Sequence, residues 1–288
     1  MKKINDLLKK YNIKANRYYK KGKSIIIESD IKKVIKVNKT NIYEYLSYRN
    51  FNNYPNIIID SGYEISDYID EIEIPREQKM IDLINVISTL HKKTTFYKKI
   101  SDYNIEEIYD DIKKQINESR IFYDRMIYEA ETSIYMRPSL YLLARNISFI
   151  YNMLNICDKN IELWFENIKK IDKVRVSIIH NNLSLEHFIN NNLISWDNAR
   201  ISLPIFDLYK LYKETYNEYD WKELLDIYSN NYPLKEEELF LFNTLIGIPL
   251  LFNMTEIEMD NVKEVNNKLN YLKLTYKFIS ETKSEIKI

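Results

Sequence analysis

What most constrains this chain is a change of hydrophobic period near residue 75. Before it come short β-branched runs: Ser24-Ile25-Ile26-Ile27-Glu28, Lys33-Val34-Ile35-Lys36-Val37 and Asn56-Ile57-Ile58-Ile59-Asp60. Runs of this kind between turn residues read as strands. Ser29-Asp30 makes the first two a hairpin, and Ser61-Gly62 turns the third into a further strand over 63–69. Helical spacing appears over 1–11 and 41–51. From Pro75 onward the period is helical, and Met80, Leu83, Ile84, Ile87, Leu90 and His91 form one apolar stripe. Further helices are predicted from Pro138 through 155, behind Asp220 over 221–229, and over about 235–252 and 260–282. One later segment reverts to strand character. Val174 to Ile179 runs into His180, and Phe188-Ile189, Asn190-Asn191-Asn192 and Leu193-Ile194 read as strand, turn, strand. The pattern predicts an α+β chain in two parts. Residues 1–74 hold a sheet and a helix, and residues 75–288 are mostly helical with a β-hairpin region at about 174–198.

Charge and composition remove several function classes. Lys+Arg and Asp+Glu both number 42, and no basic run interleaves with the aromatics, so neither nucleic acid nor a membrane surface is expected as a partner. A single cysteine, Cys157, excludes an internal disulfide framework and a multi-cysteine metal site. The most apolar stretch, 239–252, is interrupted by Asn243 and Pro249. A soluble, cytoplasmic protein is the expectation. Only 3 glycines are present, too few for a glycine-rich phosphate loop.

The stretch that bears on chemistry is His180-Asn181-Asn182-Leu183-Ser184-Leu185-Glu186-His187, then Ile194-Ser195-Trp196-Asp197-Asn198-Ala199, then Leu203-Pro204-Ile205-Phe206-Asp207-Leu208. It resembles the catalytic and metal loops of the aminoglycoside phosphotransferase and choline kinase family. That pattern is roughly H-G-D-L-x-x-x-N-[IL], then [IL]-D-[WF]-E-x-A, then G-x-P-x-x-D-L. The resemblance implies a protein-kinase-like, two-lobed fold with a small β-rich N-lobe and a larger helical C-lobe. It also implies ATP and Mg²⁺ as cofactors and a small hydroxylated molecule as acceptor. His180 would support the loop, Asn182 would stand at the base position, and His187 and Ser195 would stand at the two metal positions. Trp196 and Asp207 would be structural, Asp207 by holding the loop that contains His180. In the N-lobe, Lys36 matches the phosphate-pairing lysine, with Glu44 on the following helix as its ion-pair partner. Tyr232-Pro233-Leu234-Lys235, with Ile248-Pro249 later, resembles the spore-coat-associated branch of these kinase-like proteins.

Three positions depart from the pattern in ways that matter chemically. An amide at 182 cannot take a proton near neutral pH, an imidazole at 187 suits softer metals than Mg²⁺, and a serine at 195 brings no charge. Asp197 follows two residues after Ser195 and is the nearest carboxylate able to compensate. Three readings remain open. The chain is a catalytically impaired pseudokinase serving as a binding or regulatory module with a protein partner. Alternatively it is an active ATP-dependent phosphotransferase with a rearranged metal site, using Asp197 or Glu186. The third reading is a structural protein of a spore or envelope.

Overall fold

A computed structural model describes residues 2–100 and 105–285. Its elements are α1 (Lys2–Lys10), β1 (Arg17–Lys21), β2 (Ser24–Glu28), β3 (Lys33–Val37), α2 (Ile42–Tyr48), β4 (Ile57–Asp60), β5 (Tyr63–Asp67), α3 (Arg76–Thr94) and β6 (Phe96–Lys99). There follow α4 (Ile105–Thr132), α5 (Pro138–Ala144), α6 (Ile147–Lys169), β7 (Lys173–Ile179), β8 (Phe188–Ile189), β9 (Asn192–Leu193) and β10 (Arg200–Ser202). The chain ends with α7 (Ile205–Thr215), α8 (Trp221–Asn231), α9 (Glu236–Gly247) and α10 (Glu258–Glu285). The fold class is α+β, with the sheet early and helices in the majority, as the change of period predicts. Internal contacts divide the chain into two compact units. One comprises residues 1–94 and 178–201, the other residues 95–177 and 202–288. Compactness thus places α3 and the loop after β7 with the sheet, whereas the change of period marks residue 75.

The first unit is built on an antiparallel sheet of order β1-β2-β3-β5-β4. Its register sorts side chains by the two-residue pleat. Ile25 opposes Ile35, and Ile35 opposes Ile65. With Ile27 these side chains face α1, where Leu7 and Leu8 complete a buried cluster. The alternate residues, among them Ser24, Ile26, Val34, Lys36, Glu64 and Ser66, face the other way. Local chemistry fixes the register. Ser61 and Gly62, between β4 and β5, both have positive φ, as a two-residue type I′ turn demands. Gly22, first of the two residues joining β1 to β2, has φ +58°. β1 escapes a sequence reading because Arg17-Tyr18-Tyr19-Lys20-Lys21 is exposed throughout and carries no apolar alternation.

The second unit is helical around a core that includes Trp164, Tyr212, Tyr228, Phe242 and Tyr271. The helix predicted over 138–155 divides at Arg145-Asn146. There the Asn146 side chain donates to the Leu142 carbonyl at 2.8 Å, an alternative to the helical ladder. The helix predicted over 235–252 ends at Gly247, ahead of Ile248-Pro249. Asp220 caps α8 by accepting from the backbone N–H of Lys222 and Glu223. α6 and α9 approach closely at Gly247, where a Cβ would lie 2.9 Å from the Cys157 sulfur. Asp207, fully buried, sits in the first turn of α7, where the helix dipole favours a carboxylate. No described helix is long and apolar enough to cross a membrane.

Candidate functional site

Within the first unit lies a cleft of about 1120 Å³, floored by the sheet face opposite α1 and walled by residues of the 182–198 loop. Ile26, Val34, Ile57 and Ser66 line its floor, and Lys36 and Glu64 stand in the next row of the same face. The cleft is thus a direct product of the pleat: one side of each strand feeds the core behind it, the other faces the space in front.

Lys36 is the charged centre of this floor. Its ammonium lies 3.3 Å from Glu64 and 3.6 Å from Asp197. Glu64 is paired with Lys36 across β3 and β5, so its side chain leaves the sheet on the same face. The partner implied by resemblance, Glu44, is not the one the fold supplies. α2 turns Tyr43 and Leu46 inward and leaves Glu44 exposed on its outer side. Glu64 is only 3% exposed, and burial raises its carboxyl above the usual range despite the opposing charge of Lys36 and the 3.0 Å bond from the Tyr43 hydroxyl. Burial, together with the adjacent Glu64, likewise pushes the Tyr43 phenol well up. Glu64 is absent from the residues that the family resemblance points to. The signal was present: it stands inside an alternating strand, on the face opposite Ile65, where a solvated glutamate is not required.

The loop that brings Asp197 to Lys36 is held by backbone geometry and aromatic packing. His180 is fully buried, and its Nε2 donates to the Ile194 carbonyl at 2.9 Å. Asn181 has φ +62° and its side chain donates to the Asn198 carbonyl at 3.0 Å. Asparagine tolerates this left-handed conformation where the family pattern has glycine. Ser195 is also left-handed, at φ 66° and ψ 49°. Trp196 is buried, donates from Nε1 to the Leu193 carbonyl at 2.8 Å, and makes edge contacts with His180, Tyr43 and Phe51. The strand–turn–strand over 188–194 is present, with a tighter turn than predicted. Asn190 and Asn191 alone make it, both at positive φ, and Asn192 belongs to β9. Asn53 and Asp70 anchor its tip: Asn53 Nδ2 donates to Asn191 and Asn190 Nδ2 donates to Asp70.

The positions expected to hold Mg²⁺ do not fit it. Asn182, His187, Ser195 and Asp197 all line the cleft, but His187 Nδ1 is 2.8 Å from the Asn182 carbonyl oxygen. A carbonyl only accepts, so Nδ1 carries the ring proton and the position offers a metal one imidazole nitrogen, where Mg²⁺ takes oxygen ligands. Asp197 is engaged by Lys36. Among the described residues no group of three or more His, Cys, Asp or Glu is placed to hold a metal ion. His91, in the apolar stripe of α3, is fully buried.

No protein-family model matches the chain. No curated protein matches it either. Solved structures do. An aminoglycoside phosphotransferase from Alicyclobacillus acidocaldarius superposes with a TM-score of 0.68 at 8% identity, covering 94% of this chain and 93% of that one. The AMP-bound complex of a spectinomycin phosphotransferase gives a TM-score of 0.51 at 13% identity, covering 97% and 94%. The similarity runs the length of both chains at identities where only backbone architecture is retained, so this chain has the protein-kinase-like fold of the aminoglycoside phosphotransferases.

Proposed function

We propose that the chain is a catalytically impaired relative of the small-molecule phosphotransferases: its cleft binds a nucleotide or a small hydroxylated molecule, and the protein acts as a binding or regulatory module. The observation that carries this reading is the chemistry of the loop. Where phosphoryl transfer needs a base and two metal ligands, the chain has Asn182, His187 and Ser195, and His187 is bonded to the loop backbone. Transfer by positioning and charge stabilisation has little to work with here. A cleft of about 1120 Å³, floored by Ile26, Val34 and Ile57, still has room and apolar surface for an adenine-sized ring. One similar structure is an AMP complex, which agrees with a nucleotide as occupant.

The test is calorimetry of ATP and adenosine with and without Mg²⁺, beside a phosphate-transfer assay on amino alcohols, sugars and aminoglycosides. Binding with no transfer is the expected result. Mg²⁺-dependent turnover on any of these acceptors overturns the reading. A second reading is favoured by one contact. Asp197 lines the cleft two residues after Ser195, and a ligand that drew Lys36 away from it, at 3.6 Å now, would release its carboxylate for a metal. In that case ATP binding requires Mg²⁺ and is abolished by Asp197→Ala.

A further inference from the structure

The cations lining the cleft fall into two sets. Lys36 and Lys79 are committed, Lys36 to Glu64 and Asp197 and Lys79 to Glu71, and Arg76, at the start of α3, is likewise not free. Lys21, Lys23 and Lys39 also line it, are exposed, and carry no ion pair among the described residues. The register brings this second set to one end of the sheet. Lys21 opposes Ser24, and Ser24, one residue before the Ile25–Ile35 pair, stands beside Lys36. Lys21 is therefore two strands from Lys36, about 10 Å away, on the same face. Lys23 is in the turn between β1 and β2, next to Gly22. Lys39 follows β3 where the Asn38 N–H donates to the Gly62 carbonyl at 2.9 Å, which fixes the chain beside the β4–β5 turn. Glu73 and Glu186 are acids of the lining with no ion pair among the described residues. Glu73 lies on the segment leaving the opposite end of β5, and Glu186 on the loop beyond Leu185.

Lys36 is over-neutralised, with two carboxylates on one ammonium. Net positive charge at this end of the cleft therefore comes from the three unpaired lysines. We infer that Lys21, Lys23 and Lys39 form a polyphosphate-binding edge that works without a divalent cation, supplying the charge for which the loop has no metal site. This inference rests on the reading of the cleft as a nucleotide-type site and adds the polyphosphate chain as the recognised group. Lysine ammonium groups bind phosphate oxygens as point charges and need no fixed coordination geometry, so an exposed hairpin turn is sufficient scaffolding.

The experiment uses the full chain and three probes: adenosine, ATP and inorganic tripolyphosphate, each titrated in EDTA and again in Mg²⁺. ATP and tripolyphosphate should bind in EDTA, with affinity falling as NaCl is raised. The Lys21→Glu/Lys23→Glu variant should weaken both about tenfold or more and leave adenosine within about twofold. Both sites are exposed and Gly22 is kept, so an unchanged melting temperature is the folding control. Lys39→Glu is the independent second variant and should act in the same direction. Tripolyphosphate binding that requires Mg²⁺, or that ignores both variants, overturns the inference. Adenosine binding without any polyphosphate binding overturns it too, while leaving the reading of the cleft intact. Failure of all three probes overturns both.

Discussion

Lys36 and Glu64 show how much a single strand register decides. Glu64 is buried by the sheet, so its carboxyl sits above the usual range, and the stabilisation this represents is complete below ordinary carboxylate pKa values. It is lost as pH rises through the elevated folded value, because the unfolded chain ionises first. Glu64→Gln should therefore flatten the pH dependence of stability just above the usual glutamate range, measured by urea unfolding at a series of pH values. A slope identical to that of the unmodified protein would remove Glu64 as its source. The loop residues were legible because their chemistry is local: a left-handed Asn181 stands where the pattern calls for glycine, and Trp196 anchors the segment. Glu64 was not, since a partner from a neighbouring strand is fixed by pairing across the sheet and not by anything adjacent in the chain. Position along the sequence points to Glu44, and the rotation of α2 leaves that side chain exposed on its outer side.

At the scale of elements, two contacts set how parts are fastened. α1 is tied to the end of β4 by Lys10 and Tyr11, which both bond Asp60, Tyr11 at 2.8 Å. The hydrogen bonds from Lys10 and Tyr11 bring the Asp60 carboxyl down to about 2. The clamp is present above ordinary aspartate pKa values and is lost as pH falls through about 2. Asp60→Asn should make the α1 amides exchange faster at neutral pH without altering exchange in α6 or α9. The second contact is Gly247. A methyl group there meets the buried Cys157 sulfur at 2.9 Å, so Gly247→Ala should destabilise the chain. The cost expected of such overpacking is about 1–3 kcal/mol, read by denaturant unfolding. Cys157→Ala in the same chain should restore part of it. Most elements could be read from periodicity, and α3 shows it best, with all six residues of the predicted stripe buried. β1 and β6 could not, because half-exposed edge segments such as Phe96-Tyr97-Lys98-Lys99 have no apolar face to read.

For the whole molecule, the change of period at residue 75 and the compact units answer different questions. Periodicity reports what each segment is, and only long-range contact reports what it joins. Residues 178–201 belong with the first unit although 83 residues of the second, 95–177, precede them. Since the cleft lies wholly within the first unit, a ligand there should protect that unit selectively. At about 100 times its Kd a ligand adds about 2.7 kcal/mol. In hydrogen exchange, β2, β3, β5 and the 182–198 loop should slow, and the core of α6 and α9 should not. Slowing in α6 equal to that in β3 would count against this prediction. The discontinuous origin of the cleft also bears on biosynthesis. When residue 94 has left the ribosome, the floor of Ile26, Val34 and Ile57 already exists, but its covering loop has yet to be translated. No single proteolytic fragment ending before residue 198 carries the site, and a nascent chain passes through a stage with an apolar sheet face open to chaperones.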